Sequence, residues 1–202
     1  HDRSAGWALG FHTAQLNRDF DYPNGKANQL IALHEAGYLA NPEPPRPDLL
    51  SALAPASASE VSLEFRVRSY LDANCAQCHS PEGLSQGEFD ARYETPTSTA
   101  QLIHGILNGA GPGGQMELIR PGAPEHSMLL RRIQRRGPGQ MPPVGSNELD
   151  PAAIALITEW IETGLADYQT YEEWQITEFG AVDVELSGPA EDADNDGANN
   201  LL

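Results

Sequence analysis

The stretch "NCAQCHS", residues 74–80, contains both cysteines of the 202-residue chain, and a histidine directly follows the second. Three chemistries use such a pair. A thioredoxin-like redox site needs C-x-x-C at the start of a helix that follows a strand, inside a βαβ pattern, and no such pattern surrounds Cys75 and Cys78. A structural zinc site needs four ligands, and the remaining histidines are scattered without H-x₃₋₅-H spacing. In covalent haem attachment two thiols add to the vinyl groups and the adjacent histidine ligates the iron, which is the C-x-x-C-H order found here. The residues favour haem, with zinc and thiol redox chemistry as the alternatives.

Outward from the motif, the pattern is helical. Ser57 with Glu60 three residues on predicts a capping box opening a helix over about 59–74, with Leu63, Val67, Tyr70 and Leu71 as its buried stripe. Leu102, Ile103, Ile106 and Leu107 recur at helical spacing and predict a helix over about 98–108. Another is expected over about 124–135 with Met128, Leu129 and Ile133 inward. The last is expected to be capped by Asp150, opened by Pro151 and ended by Gly164, with Ile154, Ile157, Trp160 and Ile161 facing in. No alternating strands are evident between 59 and 165, so the expected fold is mainly α.

Residues 1–45 read as an N-terminal extension with one helix in "GKANQLIALHEAGYL". Residues 46–58 form a Pro/Ala/Ser-rich linker or wrapping strap, 59–168 the helical domain, and 169–202 an acidic tail. The formal charge is −17, and Pro138 to Leu202 hold 14 acidic residues and no Lys or Arg. A surface of that sign repels phosphates, so nucleic acid is not an expected partner. No run of about 18 apolar residues occurs, so no membrane span is expected. The start "HDRSAGWALG" shows no signal-peptide pattern.

A haem needs an apolar pocket wider than one helix provides, so Tyr93, the 102–107 stripe, Leu118, Ile119, Met128 and Leu129 are candidates to line it. Candidates for the sixth iron position are Met116, Met128, Met141, His1, His12, His34, His104 and His126. Met128 lies mid-helix as core filler, and Met116 lies in a Gly-rich stretch. Met141, in "GQMPPVG", is stiffened by the two prolines that follow it, which suits a ligand loop. A histidine or an open position is the alternative.

"VRSYLDANCAQCHSPEG", "MELIRPGAPEHSMLLRRIQRRGPGQMPPVGSNELD" and "IALITEWIETG" together resemble the class I cytochrome c domains of bacterial secreted multidomain proteins. The resemblance implies a cytochrome c-like helical domain with long irregular extensions. It also implies Cys75 and Cys78 as thioether sites of one haem c, His79 as the proximal ligand and Met141 as the distal one. Arg120 and Pro121 match a stretch near the haem. Ala123 departs from the pattern, where an Asp helix cap is common. "GWALGFHTAQLNRDFDYPNGKANQLIALHEAGYL" is similar to the stretch between two haem motifs, which would make His1 the last residue of an upstream C-x-x-C-H; a copper-chelating N-terminus is the other reading of His1.

A His/Met-ligated haem exchanges single electrons and offers no open position to a substrate, so the expected function is electron transfer rather than catalysis. The resemblance implies a periplasmic or extracellular location and a fused or docking redox partner, such as a dehydrogenase-type module. A haem enzyme or ligand sensor with a displaceable sixth ligand is the alternative function, and a structural calcium-dependent module a third. Asp192, Asp194 and Asp196 before Gly197 resemble the start of a calcium loop. Arg131, Arg132, Arg135 and Arg136, just before Met141, read either as a solvated face or as a positive patch that steers an acidic partner.

Overall fold

The computed structural model describes residues 11–81, 83, 85, 87–107, 116–165, 168–169, 171–182, 184 and 188. His1 and the Asp192, Asp194 and Asp196 motif lie outside the described residues. Contacts divide the chain into two units, His1–Ala166 and Asp167–Leu202. In the first, α1 (Thr13–Leu16) leads into a hairpin of β1 (Asp19–Tyr22) and β2 (Gly25–Asn28), paired antiparallel from Asp19↔Asn28 to Tyr22↔Gly25. Gly25 takes a φ of 124°, which a residue with a Cβ rarely adopts, and so lets the chain reverse after Pro23 and Asn24. Asn28 caps α2 (Gln29–Glu35) by accepting the Leu30 N–H at 2.9 Å.

The proline-rich segment that follows lies on the domain as a strap. Asn17 donates its side-chain amide to the carbonyls of Pro47 and Leu50, both at 2.9 Å. The Leu53 N–H reaches Ala14 O at 2.9 Å, and the Ala54 N–H reaches Ser69 Oγ at 3.0 Å. Prolines have no N–H to satisfy, so a strap of this composition can be held by a few such bonds.

The motif helix is α3 (Leu63–Cys75). It starts later than the Ser57 capping box predicts, because Ser62 is the residue whose hydroxyl accepts an orphan N–H, from Phe65 at 3.1 Å. Residues 98–107, expected as helix, are turns and an extended bridge. Ile103 pairs with Ile119, the His104 N–H donates to Ile119 O at 2.9 Å, and Gln101 and His104 take positive φ values. The apolar spacing there serves an extended segment with Leu102 fully buried and Ile106 87% exposed. The 124–135 helix is likewise shorter: a 3₁₀ turn at Pro124–His126, then α4 (Met128–Ile133), whose buried residues are Leu129, Leu130 and Ile133, with Met128 half-buried.

Asp150 and Pro151 open α5 (Pro151–Glu159) as expected, Asp150 accepting the Ala153 N–H at 3.0 Å. The helix widens into a π turn at Trp160–Gly164. Val67 and Leu71 of α3 pack on Ile157, Trp160 and Ile161, all at most 1% exposed. Burying each such side chain contributes about 1.5–3 kcal/mol, and this α3/α5 contact is the core on which the site rests. The second unit contains α6 (Tyr171–Phe179). The described residues are therefore mixed: helices predominate, with one two-stranded sheet in the same unit as the motif.

Gly164 does more than end the helix. A Cβ there would sit 2.7 Å from Trp160 Cδ1. Gly164→Ala is therefore expected to push the Trp160 ring off its packing and destabilise the domain by about 1–3 kcal/mol, measured by urea unfolding. An unchanged midpoint would show that the ring can yield at no cost.

Candidate haem site

The motif closes as a tight turn at the end of α3. The N–H groups of Cys78 and His79 donate to Cys75 O at 3.0 and 2.8 Å, which puts both cysteines and the histidine within one turn. Gly83 permits the next turn to fold back onto the motif, since a Cβ there would lie 2.2 Å from Cys78 O. Burial, then Cys78 and Asp72, push the Cys75 thiol up to about 12. A thiol so protonated at neutral pH is not the activated thiolate that thiol–disulfide exchange uses.

His79 is set for ligation. Its ring stacks on Phe89, with centroids 4.1 Å apart and planes 20° from parallel, and its Nδ1 is buried without a hydrogen-bond partner. Burial pushes the imidazole below its ordinary range, which keeps it in the neutral, lone-pair-bearing form that binds metals. An unpaired buried nitrogen costs about 1–3 kcal/mol unless something occupies it. Among the described residues no group of three or more His, Cys, Asp or Glu could hold a metal ion. Haem iron takes four nitrogens from its macrocycle and asks the protein for one or two ligands, a demand that His79 and one further residue meet. The donor set fits a covalently attached haem.

The segment carrying Phe89 is fastened to α3 by Arg68, which sequence reasoning missed. Arg68 is 3% exposed and donates to the carbonyls of Asp90, Arg92 and Thr95. Asp90 in turn accepts from the Arg92 guanidinium and from Thr95 Oγ1 at 2.7 Å. Burial alone would raise the Asp90 pKa, but hydrogen bonds from Arg92 and Thr95 prevail and hold it below the usual carboxylate range. Its stabilisation is thus present above the unfolded carboxylate pKa of about 4 and lost as pH falls through the lower folded value. Asp90→Asn is expected to lose about 1–2 kcal/mol at neutral pH and to flatten the acid limb of stability against pH. An acid limb identical to wild type would remove Asp90 from this role.

Met141 sits in a loop clamped at several points. Its N–H donates to Arg132 O at 3.1 Å, the Arg132 guanidinium reaches Gly139 O at 3.2 Å, and the Gln140 side chain donates to Pro142 O and Ser146 O, both at 3.0 Å. Arg136 donates through Nε to Glu148 O at 3.0 Å. Arg132 and Arg136 are therefore loop fasteners, which leaves Arg131 and Arg135 as the exposed members of the predicted steering patch. Met141 lines a recess of about 200 Å³ with Tyr70 and Asn74 of α3 and Ile154 of α5. It thus borders the helix that ends in Cys75. Burial, followed by Asp150 and Cys75, pushes Tyr70 up to about 12, so the recess holds a neutral phenol.

The other candidates lie elsewhere. Met116 and Met128 are half-buried. His12 pairs with Asp72 at 2.6 Å, His34 with Asn41 O at 3.1 Å, His104 with Glu117 at 2.7 Å and His126 with Glu125 at 3.6 Å. Arg120 and Pro121 occupy a turn in which Ser127 Oγ accepts the Arg120 N–H at 2.9 Å and the Gly122 N–H donates to Ile161 O at 2.9 Å, tying it to the end of α5. Tyr93 packs edge-on against Phe65 at 6.4 Å, and its N–H donates to Asp72 Oδ2 at 3.0 Å. It belongs to the Asp72 side of α3. No signal in the sequence marked Phe89 or Arg68, whose partners lie 10 to 27 positions away.

No protein-family profile, curated protein or solved structure matches this chain. Among the described residues no helix is long and apolar enough to cross a membrane.

Proposed function

We propose that the chain is an electron-transfer domain of the class I c-type cytochrome kind, carrying one haem bound through thioethers to Cys75 and Cys78. His79 and Met141 are the residues that would hold its iron. The observation that carries this reading is the single turn holding both cysteines beside a half-buried His79, whose imidazole is held neutral and whose buried Nδ1 has no hydrogen-bond partner. When bound, haem supplies one-electron chemistry between Fe(II) and Fe(III). The protein's own part is to hold the imidazole neutral and stacked on Phe89, to keep the Met141 loop in one conformation, and to exclude water with the α3/α5 core. Tyr70, held protonated by burial, adds no charge of its own to the Met141 recess.

Thioether attachment places the mature protein outside the cytoplasm, and its electrons pass to or from a fused or docking redox module. Extraction with acid acetone tests the assignment: the haem is expected to stay with the polypeptide, and haem in the organic phase would refute it.

A further inference from the structure

On the face of α3 where Tyr93 lies, a cleft has a volume of about 810 Å³. Ala76 and Gln77, the two residues between the cysteines, line it, as does Ser80 next to His79. Tyr93 and the largely exposed Phe11 border it, together with the charged Arg92 and Glu94. Its polar centre is a pair. His12 Nε2 lies 2.6 Å from Asp72 Oδ1, while Asp72 is only 7% exposed and has its second oxygen fixed by the Tyr93 N–H at 3.0 Å.

A carboxylate accepts and cannot donate, so Nε2 of His12 bears a proton, and it is the neutral imidazole that keeps a lone pair on Nδ1. The backbone that carries the imidazole is fixed too, since His12 O accepts the N–H groups of Gln15 and Leu16 at 3.1 and 3.2 Å. A histidine oriented through one nitrogen by a buried carboxylate, with the other free to accept, is the arrangement of a general base. Aromatic rings beside one such acceptor in a mixed polar lining suit a small ring that carries a hydroxyl.

We infer that this cleft binds a small hydroxylated aromatic compound, whose hydroxyl proton is accepted by His12 with Asp72 as the orienting carboxylate. Joined to the proposed function, on which this second part rests, the cleft is the entry point for a hydroquinone-type reductant. The O–H bond breaks, its proton goes to His12 Nδ1 and one electron leaves to a ferric haem as oxidant. A neutral aryloxyl radical remains, and two such radicals disproportionate to quinone and hydroquinone.

Two arms separate the ligand site from the haem reading. In calorimetry on the intact holoprotein, hydroquinone monomethyl ether is expected to bind with Kd of about 1 mM or tighter. The dimethyl ether, which lacks the hydroxyl, should bind at least about 10-fold more weakly. His12→Gln, whose parent side chain is 43% exposed and so tolerates change, should remove that preference, and Asp72→Asn should weaken it. Equal binding of the two ethers, or unchanged preference in His12→Gln, overturns the site. In the second arm, hydroquinone should reduce oxidised His12→Gln at least about 10-fold more slowly than wild type, while hexaammineruthenium(II), which transfers no proton, reduces both alike. Equal hydroquinone rates overturn the proton-accepting role. A protein that shows the ether preference but carries no covalent haem would refute the electron-transfer reading and leave the ligand site standing.

Discussion

Met141→Ala is expected to open the sixth iron position. The oxidised protein loses the weak sulfur-to-iron charge-transfer band, the reduced protein binds carbon monoxide, and the potential falls by on the order of 100 mV within the ~0.8 V range that axial ligands command. The direction follows from ligand softness, because a thioether stabilises Fe(II) relative to Fe(III) and its loss favours the oxidised form. Met116→Leu and Met128→Leu should preserve the band and the potential, with packing losses under ~1.5 kcal/mol. The clamp around the loop sharpens the expectation, because Met141 is held through its own N–H and through Arg132, Gln140 and Arg136. Loss of the band in Met116→Leu instead would move the distal ligand. A wild type that never shows it would point to a histidine or an open site, and with it to the ligand-sensor alternative.

Arg68→Leu has the largest expected effect on stability. The guanidinium is 3% exposed, and burial pushes its pKa down while Asp90, Glu64 and Asp72 oppose that. It nonetheless makes charge-assisted bonds to the carbonyls of Arg92 and Thr95, worth about 1.5–3 kcal/mol each, and a long contact of 3.5 Å to the Asp90 carbonyl. The variant should lose about 3 kcal/mol or more in urea unfolding. Arg68→Lys should fall between, since an ammonium keeps the charge but not the planar fork. Because the same segment carries Phe89, the ring stacked on His79, the haem spectrum of Arg68→Leu should also shift. A loss under about 0.5 kcal/mol would mean that the loop finds other partners.

What the residue pattern disclosed and what it hid have the same origin. The motif turn, the Asp150 cap with Pro151 and the inward Ile157, Trp160 and Ile161 are local features, set by neighbours within four positions, and they read directly. The 98–107 segment misled because its apolar spacing matched a helix face, yet of Leu102, Ile103, Ile106 and Leu107 only Leu102 is buried and Ile106 is exposed. Its partner, Ile119, is 16 positions from Ile103, and the pairing turned a helical pattern into an extended one. Two serines competed to cap α3, and only the geometry of Ser62 reached an orphan N–H. In the arginine run, charge suggested a partner outside the chain, yet Arg132 and Arg136 spend their donors on the carbonyls of the Met141 loop. Least visible was the His12–Asp72 pair, 60 positions apart, which exists because the strap holds α1 against α3.

The most direct measurement is the intact mass of the mature polypeptide, purified under denaturing conditions from a host with cytochrome c maturation machinery, beside that of a Cys75→Ser/Cys78→Ser double variant. The account predicts a wild type heavier by the mass of one haem, with a Soret band that follows the polypeptide, and a double variant at the unmodified mass. A wild type at its unmodified mass, or one that gains haem equally without the two cysteines, would contradict it.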